Sequence, residues 1–247
     1  VVTAVPQDQW RLLDVQAHDT RLTQLAHRLH KLPEHAEVER LEAQLRKVAD
    51  QLVAARTVVS DVARELAKAE ADVEQVRQRA ARNRGRLDSG QGSAKDLQAI
   101  QHELDSLARR QSVLEDAELE VMERLEAVQG RVGEVEGAQE RLTAQAAQVA
   151  ARRDRLVAEI DDEVNRERLA RADSAAGLPS DLLALYEKVR EACGGVGAAR
   201  LFQRRCEGCR LELNTTDLNR IRAAADDAVV RCEECRRILV RTPDSGL

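Results

Sequence analysis

Aromatic side chains are nearly missing from this chain of 247 residues, which has a single Trp, a single Tyr and a single Phe. That scarcity argues against one large globular core, because aromatics supply much of the bulk such cores bury. Long apolar runs are missing too. No stretch of 18 or more apolar residues occurs, so no membrane span is expected. Residues 1–10 lack a basic segment followed by an apolar one, so no export signal is expected, and the chain opens on Val rather than Met. There is no Gly-x-x-x-x-Gly-Lys-Ser/Thr loop, which removes the usual basis for nucleotide hydrolysis. The formal net charge of -5 is mild and does not mark a protein dominated by phosphate neutralisation. Lysine is scarce at 5 residues, against 34 Arg.

What remains is helix material. Charged residues make up 34% of the chain, and the apolar set is mostly Ala, Leu and Val. Such helices bury a narrow stripe and leave the rest wet. The pattern predicts a helix over about 7–31, a break at Pro33, and a second helix from about 34 to 87. Val38, Leu41, Leu45, Val48, Leu52, Ala55, Val59, Val62, Leu66, Ala69, Val73, Val76 and Ala80 alternate steps of three and four without a polar interruption. That series is a coiled-coil seam. Gly, Ser and Asp then interrupt it over 88–94, which is turn chemistry. The heptads resume at Leu97, Ile100, Leu104 and Leu107 and run on to Leu156 and Ile160, with polar breaks at Gln111, Glu118, Gln139 and Arg153.

Two long helices joined by so short a loop fold back on one another most simply. Each would reach on the order of 110 Å at 1.5 Å per residue. Pairing about residue 91 sets Leu66 near Asp116 and Trp10 near Ala172. A parallel intermolecular coiled coil with the loop as a stutter is the alternative. Whether the helix before Pro33 folds back or continues along the pair is open. Gly130, Gly133 and Gly137 are either tolerated weak spots or a shallow groove that the 7–31 helix could fill.

A linker follows at 172–179, and a short helix over about 180–193, capped by Ser180 with Asp181 in its first turn. The expected divisions are therefore 1–172 as the helical hairpin, 173–197 as linker and short helix, and 198–241 as a small β unit. The fold class is mainly α.

That small unit carries the chemistry. Four of the five cysteines form two C-x-x-C pairs, Cys206 with Cys209 and Cys232 with Cys235, separated by 22 residues. Two C-x-x-C turns on separate hairpins can close a tetrahedron around one Zn²⁺. With no export signal the compartment is expected to be reducing and cytoplasmic, favouring metal over disulfides. A redox dithiol usually opens a helix in a βαβ setting, which is absent here. Iron in four thiolates remains chemically possible. With all four positions filled by sulfur no site is left for water, so the zinc is structural and no catalytic residue is expected. The segment 200–204 is expected to be a strand entering the first knuckle, with Leu211 and Leu213 leaving it. Val229 and Val230 enter the second, residues 238–240 leave it, and Thr216 would cap a short helix through about 225. Cys193 reads as a spare thiol near this unit. His27 and His30 lack a third partner for metal.

Basic residues form two candidate nucleic-acid surfaces. Arg77, Arg79, Arg82, Arg84 and Arg86 precede the expected hairpin tip with no acidic residue among them. Arg204, Arg205, Arg210 and Arg231 flank the cysteines. Residues 200–241 hold ten Arg against seven Asp or Glu, so with a zinc tetrathiolate the unit is only weakly positive. Phe202 is the one aromatic available for base stacking, with packing behind the zinc as the plainer alternative.

Cys-Glu-Gly-Cys-Arg-Leu-Glu-Leu at 206–213 and Cys-Glu-Glu-Cys-Arg-Arg-Ile-Leu at 232–239 resemble the bacterial C4-type zinc-ribbon proteins with an N-terminal coiled-coil hairpin. The segments 95–103, 114–123 and 178–186 resemble the helical part of that family. The resemblance implies a hairpin with a ribbon at its open end and one structural Zn²⁺ on these cysteines. It implies a non-enzymatic role in binding proteins or nucleic acids. The closed metal site, the long rod and the absence of catalytic groups point to an adapter docking a partner protein or, alternatively, a nucleic-acid-binding regulator, with no membrane and no small-molecule substrate expected. Arg236 departs from the family, which usually has Gly there, at a position that often needs a left-handed backbone.

Overall fold

The computed structural model describes residues 2–247 and divides into two compact units. One is Ala36–Ala150. The other combines the chain up to His35 with Ala151–Leu247. Helices α1 (Pro6–His30), α2 (Pro33–Asp88), α3 (Ala94–Ala175) and α4 (Ser180–Ala192) are followed by strands β1 (Ala198–Phe202) and β2 (Arg205–Cys206), helix α5 (Thr215–Ala223) and strand β3 (Ile238–Val240). A 3₁₀ turn, Pro243–Ser245, follows β3.

In the 36–150 unit the heptad residues form the seam. Val38, Leu41, Leu52, Val62 and Val73 of α2 and Ile100 and Val149 of α3 are buried. Ion pairs link the two helices along their exposed edges: Arg56 to Glu136 (2.7 Å), Arg124 to Glu65 (3.0 Å), Arg77 to Glu115 (2.6 Å) and Arg79 to Glu103 (2.5 Å). Each such exposed pair contributes about 0–1 kcal/mol, so the apolar seam carries the stability and the pairs help set register. The connection needs its glycines: Gly90 has φ +63° and Gly92 φ +137°. Ser93 and Asp96 close the start of α3, the carboxylate accepting the Ser93 N–H (3.0 Å) and hydroxyl (2.7 Å). The hydrogen bonds with Ser93 hold the exposed Asp96 carboxyl below its usual range.

Pairing about residue 91 holds for Arg79 and Glu103, but Arg77 and Arg56 meet Glu115 and Glu136 where that pairing expects residues 105 and 126. Val38 and Leu41 likewise pack with Val149 and Ala146, so the register away from the turn is centred a few residues after 91. Trp10 adjoins that pairing, but its side chain bonds elsewhere. Its indole N–H donates to the carbonyl of Arg241 (2.6 Å), and Arg11 is the residue that reaches α3, donating to the Ser174 carbonyl (3.2 Å).

Pro33 stands in the first turn of α2, where its missing N–H is no loss, and the two-residue break before it leaves α1 paired with α3. Leu25, Leu29 and Leu32 pack on Leu156, Val157, Ile160 and Val164. Arg21 and Arg28 both meet Glu163 (2.9 and 3.2 Å), and His18 meets Glu167 (2.6 Å). α1 thus runs antiparallel to the end of α3. The expectation that it fills a groove at the three glycines fails, because its apolar face is already taken. A Cβ built at Gly130 or Gly133 would meet nothing within 4 Å.

The remaining β unit is a three-stranded sheet in the order β2-β1-β3, with β1 antiparallel to β2 and parallel to β3. Alternation along the strands divides two cores. Ala198, Ile238 and Val240 face Leu12 and Val15 of α1 and Leu182, Tyr186 and Val189 of α4. Ala199, Leu201 and Leu239 face Leu213, Leu218, Ile221 and the cysteines. Each fully buried side chain of this size contributes roughly 1.5–3 kcal/mol.

Several local expectations shift. β1 starts two residues before the expected strand and ends at Phe202. Asn214, not Thr216, caps α5, its side chain accepting the Asp217 N–H (2.8 Å). Ser180 makes no capping bond and instead opens α4 after Pro179. Leu213 is buried while Leu211 is 51% exposed. Val230 enters the second knuckle as expected, its carbonyl accepting the Leu239 N–H (2.9 Å), with an isolated bridge from Arg231 to Ile238 and no full strand. The β unit also extends past 241. The carbonyls of Asp244 and Ser245 accept the N–H groups of Gln203 and Arg204, both at 2.8 Å. Gln203 (φ +44°) and Arg204 (φ +66°) form a two-residue turn with both φ positive, the geometry whose twist matches a tight hairpin.

Candidate metal centre

Each C-x-x-C segment folds as the same tight turn. The N–H of Arg210 donates to the carbonyl of Cys206 (2.7 Å), and that of Arg236 to the carbonyl of Cys232 (2.9 Å). The turn closes only if the residue after the second cysteine is left-handed, and Arg210 (φ +64°) and Arg236 (φ +63°) both are. The strain suspected at Arg236 is therefore present, and the same strain occurs at Arg210.

The two turns bring all four sulfurs together. Cys206 and Cys235 Sγ are 3.8 Å apart, Cys209 and Cys232 Sγ 3.9 Å, and all four ligand atoms lie within 4.8 Å of one another. A tetrahedron with Zn–S of about 2.3 Å has edges of about 3.8 Å. Disulfides would need about 2.05 Å, and all five cysteines are free. Neither C-x-x-C opens a helix, so the redox arrangement is absent. Among the described residues these four are the one group of potential ligands with metal spacing, and His27 and His30 form no second.

Cys206 and Cys232 are fully buried, and burial pushes both thiols up against the backbone N–H groups of Gly208, Cys209, Glu234 and Cys235 that favour thiolate. Burial also works on Cys235, but the backbone and guanidinium of Arg237 outweigh it and hold this thiol down. Such a cluster asks for a cation, and the four cysteines form the site of one structural Zn²⁺, with every coordination position filled by the protein.

Arg237 was not singled out by its sequence context. Its guanidinium donates to the carbonyls of Val196 (3.2 Å), Gly208 (3.2 Å) and Cys193 (3.0 Å), joining the end of α4 to both knuckles. Gly208 makes room for it, because a Cβ there would stand 2.8 Å from Arg237 Cδ and from Ala199 Cβ. Cys193 lies near the site as expected, its Sγ 3.5 Å from the carbonyl of Cys235.

A second unforeseen group fixes the sheet to the helices. Buried Gln16 of α1 accepts the Gly197 N–H (2.6 Å) at the entry to β1 and donates to the Gly195 carbonyl (3.1 Å). Tyr186 donates to Asp19 (2.7 Å), which also receives two bonds from Arg171 (2.7 and 3.1 Å). Burial pushes Asp19 up, but Arg171 and Tyr186 hold it below the ordinary carboxylate range. Burial, and then Asp19, push Tyr186 far up. The signals here were single polar residues on apolar helix faces, which heptad reading passes over.

The arginines divide. Arg77 and Arg79 are engaged by Glu115 and Glu103, whereas Arg82, Arg84 and Arg86 are exposed with no carboxylate at ion-pair distance among the described residues. Arg204, Arg205 and Arg210 are likewise exposed and unpaired, and Arg231 donates to the Arg236 carbonyl (2.7 Å). Phe202 does not pack behind the zinc. It is half-buried outside that core, with the Arg200 guanidinium 4.9 Å from its ring centre. Among the described residues no helix is long and apolar enough to cross a membrane.

Comparison with known proteins places these features together. Residues 15–194 match a family model described as a CT398-like coiled coil hairpin domain, and residues 205–239 match a C4-type zinc ribbon domain. Neither describes an enzyme family. A Mycobacterium tuberculosis protein is 40% identical over 233 residues, covering 94% of this chain and 95% of the relative. A solved structure from Mycobacterium smegmatis is similar with TM-score 0.85 and 36% identity, covering 98% of this chain and all of the other. The structure of CT398 from Chlamydia trachomatis shares the fold with TM-score 0.66 at 14% identity, covering 96% and 98% of the two chains.

Proposed function

The chain belongs to the family of CT398-like coiled-coil hairpins, here with a C4 zinc ribbon, and from that premise we propose that it is a non-enzymatic adapter that docks a partner protein through its ribbon and coiled coil. The observation that carries this reading is how the metal is used. The zinc is saturated by sulfur, and the ribbon it shapes is tied to α1, α3 and α4 through Gln16, Asp19, Tyr186 and Arg237. A saturated metal activates no water, so its contribution is shape. That shape presents Leu211, 51% exposed, beside the unpaired Arg210. Reduced cysteines fit a cytoplasmic location.

The test is affinity capture from native extract with the zinc-loaded full chain and with Leu211→Asp and Arg210→Glu variants. A partner retained by the parent chain and lost with the ribbon variants is expected. Identical capture by all three, or no partner above the tag control, refutes ribbon docking.

A second reading, nucleic-acid binding, is favoured by one observation. Arg204, Arg205 and Arg210 are exposed without carboxylate partners, and two of them hold left-handed backbone that glycine would adopt more easily. It predicts RNA or DNA mobility shifts that weaken steeply with salt and fall in the triple Arg→Ala variant, with Arg231 and the tip residues Arg82, Arg84 and Arg86 as secondary contributors. No shift at low salt removes it.

A further inference from the structure

The adapter reading leaves the partner's chemistry open, and a cleft away from the zinc addresses it. The first turn of α1, the end of α5 and the segment after β3 enclose a cavity of ≈ 390 Å³. Trp10, the chain's single Trp, forms one wall and is 41% exposed. Pro6, Ile221, Pro243 and Leu247 add apolar surface.

The cleft is held in shape before anything enters it. The Trp10 indole N–H is engaged by the Arg241 carbonyl, which fixes the ring with a face left open. The Arg241 guanidinium is consumed in turn, donating to the carbonyls of Ala224 (3.0 Å), Ala225 (2.7 Å), Asp226 (3.0 Å) and Ala228 (2.9 Å) at the end of α5. Preformed sites with rigid aromatic anchors lose little entropy on binding. Arg222 is different. It lines the cavity, is exposed, and its side chain makes one long bond, 3.5 Å to Asn219 Oδ1. No carboxylate stands at ion-pair distance from Arg222 among the described residues, so it is the cation the cleft leaves available.

We propose that this cleft docks an extended peptide of the partner protein in which a large apolar side chain adjoins an Asp or Glu. The apolar side chain lies on Trp10 between the two prolines, and the carboxylate meets Arg222. Trp and Arg are the residues that most often dominate protein interfaces, and a charge-assisted Arg–carboxylate contact supplies orientation. This proposal rests on the adapter reading and deepens it.

The test begins with the zinc-loaded full chain and a displayed library of random hexapeptides. Expected enrichment is for sequences pairing Asp or Glu with a neighbouring Leu, Ile, Phe or Trp. Enriched peptides free of Trp are then titrated while Trp10 emission is followed. Binding should shift the emission to the blue, and Arg222→Glu should weaken it by about tenfold or more. Arg222 is on the surface, so zinc content and circular dichroism of that variant should match the parent. Trp10→Phe should retain the fold and weaken the same peptides.

No enrichment, enrichment without acidic residues, or equal affinity for Arg222→Glu overturns the proposal. So does Arg222-dependent quenching of Trp10 by single-stranded RNA with no peptide effect, which would assign the cleft to nucleic acid. Ribbon-dependent partner capture that survives Arg222→Glu also overturns it, while leaving the adapter reading intact. Peptide binding here without any ribbon-dependent capture supports the cleft and removes the ribbon-docking reading instead.

Discussion

Replacing Arg237 by Ala should do more damage than any other surface-accessible change in the ribbon. Its guanidinium donates to three carbonyls, two on the α4–β1 connection and one in the first knuckle, and also holds the Cys235 sulfur toward thiolate. Each bond from a cation contributes about 1 kcal/mol or more net, and the half-buried carbonyls left behind recover only part of that from water, so the loss should be about 2–4 kcal/mol. The cavity left beside Gly208 adds to it, because that glycine exists to admit the arginine stem. The metal should register the change independently. Protons compete with zinc for thiolates. Arg237 lowers the Cys235 thiol, so removing it raises that thiol and protonation begins at higher pH. The midpoint of acid-induced zinc release, followed with a chromogenic chelator, should therefore move up in pH. Urea unfolding followed by Trp10 emission gives the stability loss on the same sample. Arg237→Lys, which keeps charge but not the planar fork, should recover part of the pH shift and little of the stability. An Arg237→Ala protein with unchanged release midpoint and a loss below about 1 kcal/mol would refute the reasoning.

Arg210→Gly and Arg236→Gly should each stabilise the ribbon or leave it unchanged, by about 0–1 kcal/mol, since relief of left-handed strain slightly exceeds the added freedom of the unfolded chain. A melting temperature lowered by either change would contradict this. Tyr186→Phe should lower stability by about 1–2 kcal/mol in urea, because Asp19 loses its buried hydroxyl donor. Asp19 is held below its ordinary value, so the stability it contributes is present above pH of about 4 and lost as pH falls through its lower folded value. Acid titration of Asp19→Asn should show a weaker decline there than the parent. Chelation of zinc should abolish the ribbon while most of the ellipticity at 222 nm persists, since α2 and α3 pair through their own seam. Collapse of the whole helical signal would show that the coil depends on the metal.

Much of this architecture was legible because its determinants repeat. An unbroken series from Val38 to Ala80 can be read without knowing any contact, and two C-x-x-C pairs announce a four-sulfur site by spacing alone. What escaped depends on residues that meet only after folding. Gln16 and Asp19 look like ordinary polar helix residues until Gly197 and Tyr186 arrive beside them. Arg237 is one of two adjacent arginines, and only the closed knuckles reveal which one points inward. The parallel pairing of β1 with β3 joins strands with the whole metal site between them, so no local signal marks it. Strain at Arg236 was anticipated from a family habit, whereas Arg210 occupies the matching place in the first knuckle and was overlooked. The capping residues were misplaced by a position or two, because Ser180, Asn214 and Thr216 all offer suitable oxygens and only backbone geometry selects among them.

The zinc-bearing unit is assembled from both extremities of the chain, with Ala36–Ala150 interposed. Ala4 bonds Asp227, and Trp10 bonds Arg241. On the ribosome α1 therefore emerges before everything it packs against, meeting first the end of α3 and only later α4 and the sheet. The coiled coil between can fold from contacts already made, in the order of synthesis. Metal capture then follows the pairing of the long helices, and it is the step at which α1 gains the second half of its contacts.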